Sequence, residues 1–215
     1  MRPINALVLG VALSLMACAP HKSAPKAENF PVVVPFAIDR AGSKVTVEFE
    51  LPNALDPYFK EPILRPVFIG VRRVEDKGGG AAELKEWMRR SDYLQRNTVP
   101  IHLAVQQWNQ GRWVPVALHE MHDNIVHGQG SVWYEPISDT HIVSRLRRLS
   151  PDHTELQAIG QKREDKVYDT YEWARIVPPT PGRYRLEIES QQDHSNIRDL
   201  TFELLVSHNY QHGIQ

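Results

Sequence analysis

The chain has 215 residues, 41% of them hydrophobic, with 25 Lys and Arg against 26 Asp and Glu and a single cysteine. That balance excludes a strong electrostatic case for nucleic-acid binding, and one thiol excludes an intramolecular disulfide framework. Length and apolar content suffice for one domain with a real core.

The first element is an apolar run. Met1 and Arg2 give a short positive start, Ile4 to Met16 are apolar apart from Asn5, Gly10 and Ser14, and small residues follow. The run falls short of the ~20 apolar residues that span a bilayer, so residues 1–17 read as a signal peptide removed on export. No later apolar run is long enough to cross a membrane. Leu15-Met16-Ala17-Cys18 resembles the lipobox of bacterial lipoproteins, with Met16 departing from the small or branched residue commonest there. The resemblance implies cleavage before Cys18, a diacylglycerol thioether on its sulfur and usually an N-acyl chain. Several acyl chains anchor stably where one binds only marginally. Ala19 in place of an aspartate resembles outer-membrane sorting, which leaves the body in the periplasm. Residues 18–29, rich in Pro, Lys and small side chains, form the lipidated tether.

From Phe30 the dominant period is two. Phe30 to Asp39 is a strand joined through "RAGS" to "SKVTVEFEL", where Val45, Val47, Phe49 and Leu51 share one face. Ile101, Leu103 and Val105 alternate before "WNQGRW", and Val114, Val116 and Leu118 after it, which predicts a hairpin. Near the C-terminus "PTPGRYRLEIES" and "DLTFELLVS" repeat the alternation around the turn "QDHSN". Two stretches break the pattern. In "DKGGGAAELKEWMRRSDYLQR", Leu84, Trp87 and Met88 stand at i, i+3 and i+4, the spacing of an apolar helical face. Between Ser138 and Gly160, Ile142, Leu146 and Leu149 share helical spacing, followed by Ser150 as N-cap, Pro151 at the first helical position and Gly160 as the stop. The expected fold is therefore mainly β: an antiparallel β-sandwich over residues 30–215, with short helical insertions near 76–96 and 138–160.

Chemistry-bearing motifs are sparse. "GQGSV" around Ser131 lacks the glycine-x-serine-x-glycine elbow, and no spacing marks an acid/base pair. No activated nucleophile or base can be named, so the chain is expected to be noncatalytic and to need no cofactor. His119, His122 and His127 supply zinc-type ligands, with Glu120 or Asp123 beside them. The histidines at i and i+3 after a strand-like segment do not match a zinc-protease helix, and solvated loop residues are the expectation in place of a metal site. Trp108 and Trp113 flank the hairpin loop and are expected to pair across it, a sugar platform being the functional alternative. The clusters Arg72-Arg73, Arg89-Arg90 and Arg145 with Arg147-Arg148 read first as a solvated face, while those in the insertions have a second reading as contacts for an acidic partner or lipid headgroups. Arg145, Arg147 and Arg148, in the second insertion, are the candidate contacts for an acidic partner.

From "FPVVVPFAID" through "PGRYRLEIES" the mature chain resembles small bacterial lipoproteins of an uncharacterised β-sandwich family. Some lipoproteins of this general kind act as immunity proteins beside secreted interbacterial toxins, including lipases of type VI secretion systems. The resemblance implies a lipid-anchored binding protein with a protein partner, in its most concrete form a toxin. An envelope assembly or maintenance factor, or a carbohydrate or metal binder, are the alternatives.

Overall fold

A computed structural model describes residues 27–53, 65–78, 80–124, 131–138 and 141–209. The expected signal peptide, Cys18, most of the expected tether and His127 lie outside them. Among the described residues thirteen strands and two α-helices run in the order β1 (Ala27–Glu28), β2 (Val32–Pro35), β3 (Lys44–Leu51), β4 (Val67–Asp76), α1 (Ala81–Arg96), β5 (Ile101–Asn109), β6 (Arg112–Pro115), β7 (Leu118–Asp123), β8 (Val132–Pro136), β9 (Ile142–Val143), β10 (Arg147–Leu149), α2 (His153–Ala158), β11 (Lys166–Ile176), β12 (Gly182–Ser190) and β13 (Thr201–His208). One sheet is ordered β1-β3-β12-β5-β6, with β9 also on β5. The other is ordered β2-β13-β4-β11-β7-β8, with β10 also on β11. Among the described residues only the short β1–β3 pairing is parallel, so the fold is the expected antiparallel sandwich.

The alternating residues meet between the sheets. Val47 and Phe49 of β3 stand opposite Leu186 and Tyr184 of β12, and Leu186 and Ile188 in turn oppose Val105 and Leu103 of β5. They pack on Val67, Ile69 and Val71 of β4 and Leu204 and Val206 of β13 in one buried cluster. Period two thus fixes which face is buried. It does not fix which strand is the neighbour. β2 and β3, read from the sequence as consecutive strands joined by a turn, belong to different sheets, and so do β12 and β13. Between β12 and β13 the chain crosses the end of the sandwich through a 3-10 turn at Ser195–Ile197, with the His194 N–H donating to the Asp39 carbonyl at 2.8 Å. The alternation from Val114 to Leu118 likewise breaks at Pro115: β6 stays on β5, and Leu118 opens β7 in the other sheet. The β5–β6 hairpin closes as expected, with Gln110 and Gly111 both at positive φ (48° and 84°), the backbone that a two-residue loop with matching twist requires.

The insertions differ more from expectation. α1 forms over the predicted residues and carries the chain from β4 in one sheet to β5 in the other. Its buried side chains are Ser91 and Leu94, with Trp87 half-buried, whereas Leu84 and Met88 are 60% and 59% exposed. The inward stripe is 87, 91, 94, and Ser91 escapes an apolar count because its hydroxyl, not a hydrocarbon, meets the core, donating to Asp169. The stretch 138–160 is mostly not helical. β9 pairs with β5 and β10 with β11, and only α2 is a helix. Leu146 is buried, but outside any helix. Pairing to an available sheet edge outcompetes the weak local preference of a short helix. The cap of α2 is Asp152 in place of Ser150, its Oδ1 accepting from Thr154 N at 2.9 Å and Glu155 N at 3.3 Å. Gly160 ends the helix at φ 70°. α2 covers a second small cluster of Phe68, Leu156 and Leu205 on the outer face of its sheet.

Candidate functional site

Where β11 meets β7 the ladder is short. β7 pairs with β11 only at Leu118 and His119, opposite Ile176 and Arg175, then leaves to pair with β8 as a projecting arm. β10 takes the same edge of β11 from Glu172 to Thr170. Trp173, between these pairings, is the extra residue of a bulge in the β4–β11 ladder, a device that redirects a strand and recurs at sites. Gly70 lies opposite Glu172, and a Cβ there would sit 1.9 Å from the Tyr171 carbonyl oxygen, so the bulge requires glycine.

The splayed strands leave a cleft of about 130 Å³ lined by Glu120, His122, Asp123, Trp133, Arg145, Arg147 and others. It brings together two of the three predicted arginines and one predicted histidine, in different roles. Arg147 spans the gap, its Nη1 donating to the Met121 carbonyl at 3.3 Å and its Nη2 to Asp123. It ties the diverging β7 back to β10 where backbone pairing has ended. Burial holds its guanidinium below the ordinary arginine value, with Arg175 adding to that and Glu172 opposing it. Arg148 points to the other face. Its Nε stands 2.8 Å from Asp169 Oδ1, and its Cζ lies 5.4 Å from the ring centre of Trp87. Arg145 and Arg148 are both exposed, and Arg145 alone of the three has no ion pair or side-chain hydrogen bond among the described residues. Strand alternation sends Arg147 and Arg148 to opposite faces, and each meets a carboxylate, so the three candidate contacts differ in their surroundings.

His119 and His122 also separate, as i and i+3 on a strand must. The His122 ring stacks on Trp133 at 5.6 Å, with Nε2 3.5 Å from Glu135 and 3.8 Å from Glu120. His119 is in register with Arg175 and Pro136. Among the described residues no three His, Cys, Asp or Glu side chains are arranged to hold a metal ion. Trp108 and Trp113 face each other edge to plane at 5.2 Å. Arg185 lies over the Trp113 ring at 4.3 Å, so a guanidinium occupies a ring face that a sugar would need.

Charges expected on a solvated face prove internal in several places. Arg72 and Arg73 are buried. Arg72 reaches Glu203 at 2.6 Å and the Gln161 carbonyl at 2.7 Å. Arg73 donates to the Trp87 carbonyl at 3.2 Å and lies over the Trp87 ring at 4.9 Å. Glu48 is buried beneath Arg183 and Arg185. Burial alone would raise its pKa, but the hydrogen bonds from Arg185 and Arg183 outweigh that and hold it below the usual carboxylate range. A buried Arg175 makes a two-pronged bond to Glu172 at 2.5 and 2.8 Å, which more than offsets the lowering effect of burial on its pKa.

The second surface lies at the end of the sandwich that α1 covers. Around half-buried Trp87 open two adjoining grooves of about 550 and 490 Å³, the first floored by Val74 and Leu200, the second by Leu84 and Val167. Arg73, Arg148 and Asp169 anchor Trp87 and Ser91 from below, so the helix face presenting Leu84 and Met88 is held in place. This surface was not legible in the sequence, where the apolar spacing of Leu84 and Met88 reads as a buried stripe.

No family model and no curated protein matches the chain. A crystal structure of a protein from Sulfurospirillum deleyianum matches over 87% of this chain and 100% of that one, with 11% identity and a TM-score of 0.46, too distant a likeness to carry functional information.

Proposed function

We propose that the chain is an exported, lipid-anchored, noncatalytic protein-recognition module, held to a bacterial membrane through Cys18 and facing the periplasm, and that it grips its partner with the outer face of α1. The observation that carries this reading is the exposure of Leu84 and Met88, the two most exposed large apolar side chains described, on neighbouring turns of one helix. Single exposed apolar residues need no explanation, but an adjacent pair beside an apolar groove is the form that recognition surfaces take. Neutralisation of a secreted toxin is the most concrete version, since the chain resembles small bacterial β-sandwich lipoproteins and some lipoproteins of that general kind act as immunity proteins. Arg145, the unpaired cation at the cleft, is a secondary contact.

The experiment is site-specific photocrosslinking in the native envelope, with the probe at position 88 in one chain and at Arg112, on the far hairpin, in another. A discrete adduct from position 88 alone is the expected result. Adducts of equal yield from both positions, or from neither, sink the assignment of the α1 face.

A further inference from the structure

We infer that the α1 groove accepts a basic amphipathic segment of a partner protein, an inference that rests on the reading of α1 as the recognition face and adds the chemistry of what it recognises. The apolar floor asks for an apolar anchor. The rim decides the flanking charges. Glu75, Asp76, Glu83, Glu86 and Asp199 line the first groove against the single basic residue Arg90. Several of these carboxylates are paired, and for Glu75, Asp76 and Asp199 the cation lies beneath and the carboxylate outside, whereas Glu86 shares the surface with the exposed Arg89. Asp76 is 86% exposed over Lys166 at 22%, and Asp199 is 65% exposed over Arg90 at 23%. Arg73, the partner of Glu75, is fully buried. Glu86 accepts from both Arg89 and Arg90, which lower its pKa to about 2, so it stays ionised at any physiological pH.

A chain approaching this end of the molecule therefore meets negative charge around an apolar slot. Cationic side chains at the rim would share carboxylates that each still have free lone pairs, since an ionised carboxylate offers about four acceptor sites. An acidic segment would meet like charge at short range and gain only the apolar term. The sign is opposite to the one that the arginine cluster of the sequence implies. Two of those arginines already face carboxylates, Arg147 that of Asp123 and Arg148 that of buried Asp169, and Arg148 supports α1 from below.

The test uses the chain carrying Cys18→Ser, so that no acyl group competes for an apolar probe, and two synthetic amphipathic peptides of about 18 residues, one built of Leu and Lys and the other of Leu and Glu in the same pattern. Fluorescence anisotropy of labelled peptide is the readout. The Leu/Lys peptide is expected to bind saturably, at least about tenfold more tightly than the Leu/Glu peptide, and to weaken as salt rises from about 50 to about 500 mM. The double variant Asp76→Asn, Asp199→Asn should weaken it about fivefold or more with an unchanged far-ultraviolet circular dichroism spectrum. Equal binding of the two peptides that is lost in Leu84→Asp keeps the apolar face and overturns the basic partner. Tight Leu/Lys binding that is unaffected by Leu84→Asp and Met88→Asp overturns the face itself, and with it the inference. Failure of the Leu/Lys peptide to bind overturns the inference alone.

Discussion

The guanidinium of Arg148 lies 5.4 Å from the ring centre of Trp87, and the same ring receives Arg73 at 4.9 Å. Two cations on one indole are tolerable because buried Asp169 lies 2.8 Å from Arg148 and 4.0 Å from Arg73. Asp169 also accepts hydrogen bonds from Ser91 and, at 2.5 Å, from Tyr171. Burial, and then the hydrogen bond to Asp169, raise the Tyr171 phenol above its ordinary pKa, so it remains a donor. The group joins α1, β10 and β11, and so positions the outer face of α1.

Arg148→Gln is expected to cost about 1–3 kcal/mol, because it removes an ion pair from a carboxylate that stays buried. Chemical denaturation measures the loss. Hydrogen exchange should locate it, with amides of α1 exchanging faster and those of the β3–β12–β5 ladder unchanged. An α1 as protected as in the parent would disprove the coupling.

Arg145 and Arg147, two residues apart, should behave differently. Arg145→Glu changes an exposed unpaired side chain and is expected to alter stability by no more than about 0.5 kcal/mol. Arg147→Glu places a carboxylate beside Asp123 and removes the donor to Met121, and should cost about 2 kcal/mol or more. Matched denaturant titrations of the two variants decide it. Equal costs would mean that Arg147 does not brace the β7–β8 arm.

Glu48 gives the molecule an acid limit. Its folded pKa lies below the ordinary 4.5, so its contribution is fully present above about pH 4.5 and is lost as pH falls through the lower folded value. Glu48→Gln should therefore destabilise the chain at pH 7, by about 1–3 kcal/mol, and by progressively less towards about pH 3. Melting temperatures of parent and variant across that range should converge on the acid side. A constant offset would assign the effect to packing.

Cys18→Ser should abolish incorporation of labelled fatty acid and move the chain from the membrane to a soluble or unprocessed fraction, leaving the β-rich body folded. Equal labelling of parent and variant would remove the proposed anchor.

The sequence by itself determined the class of fold and the inward faces of its strands. Val47, Phe49, Leu186 and Ile188 alternate with polar residues, and a strand offers no way to bury such a set except on one side of a sheet. It also determined the β5–β6 hairpin and the meeting of Trp108 with Trp113, since a two-residue loop fixes register locally. Tertiary structure decided the rest. Whether β2 lies beside β3 depends on which sheet has a free edge, a long-range matter on which alternation is silent. The same holds for Ile142 to Leu149, whose helical spacing gives way to the vacant edges of β5 and β11. The buried charges were hidden for a related reason. Arg73, Glu48 and Asp169 look like surface residues singly, and only the fold supplies the opposite charges that make their burial affordable. The exposure of Leu84 and Met88 follows from the same cluster: Ser91 and Trp87, held by Asp169 and Arg73, turn the helix so that its apolar pair faces outward.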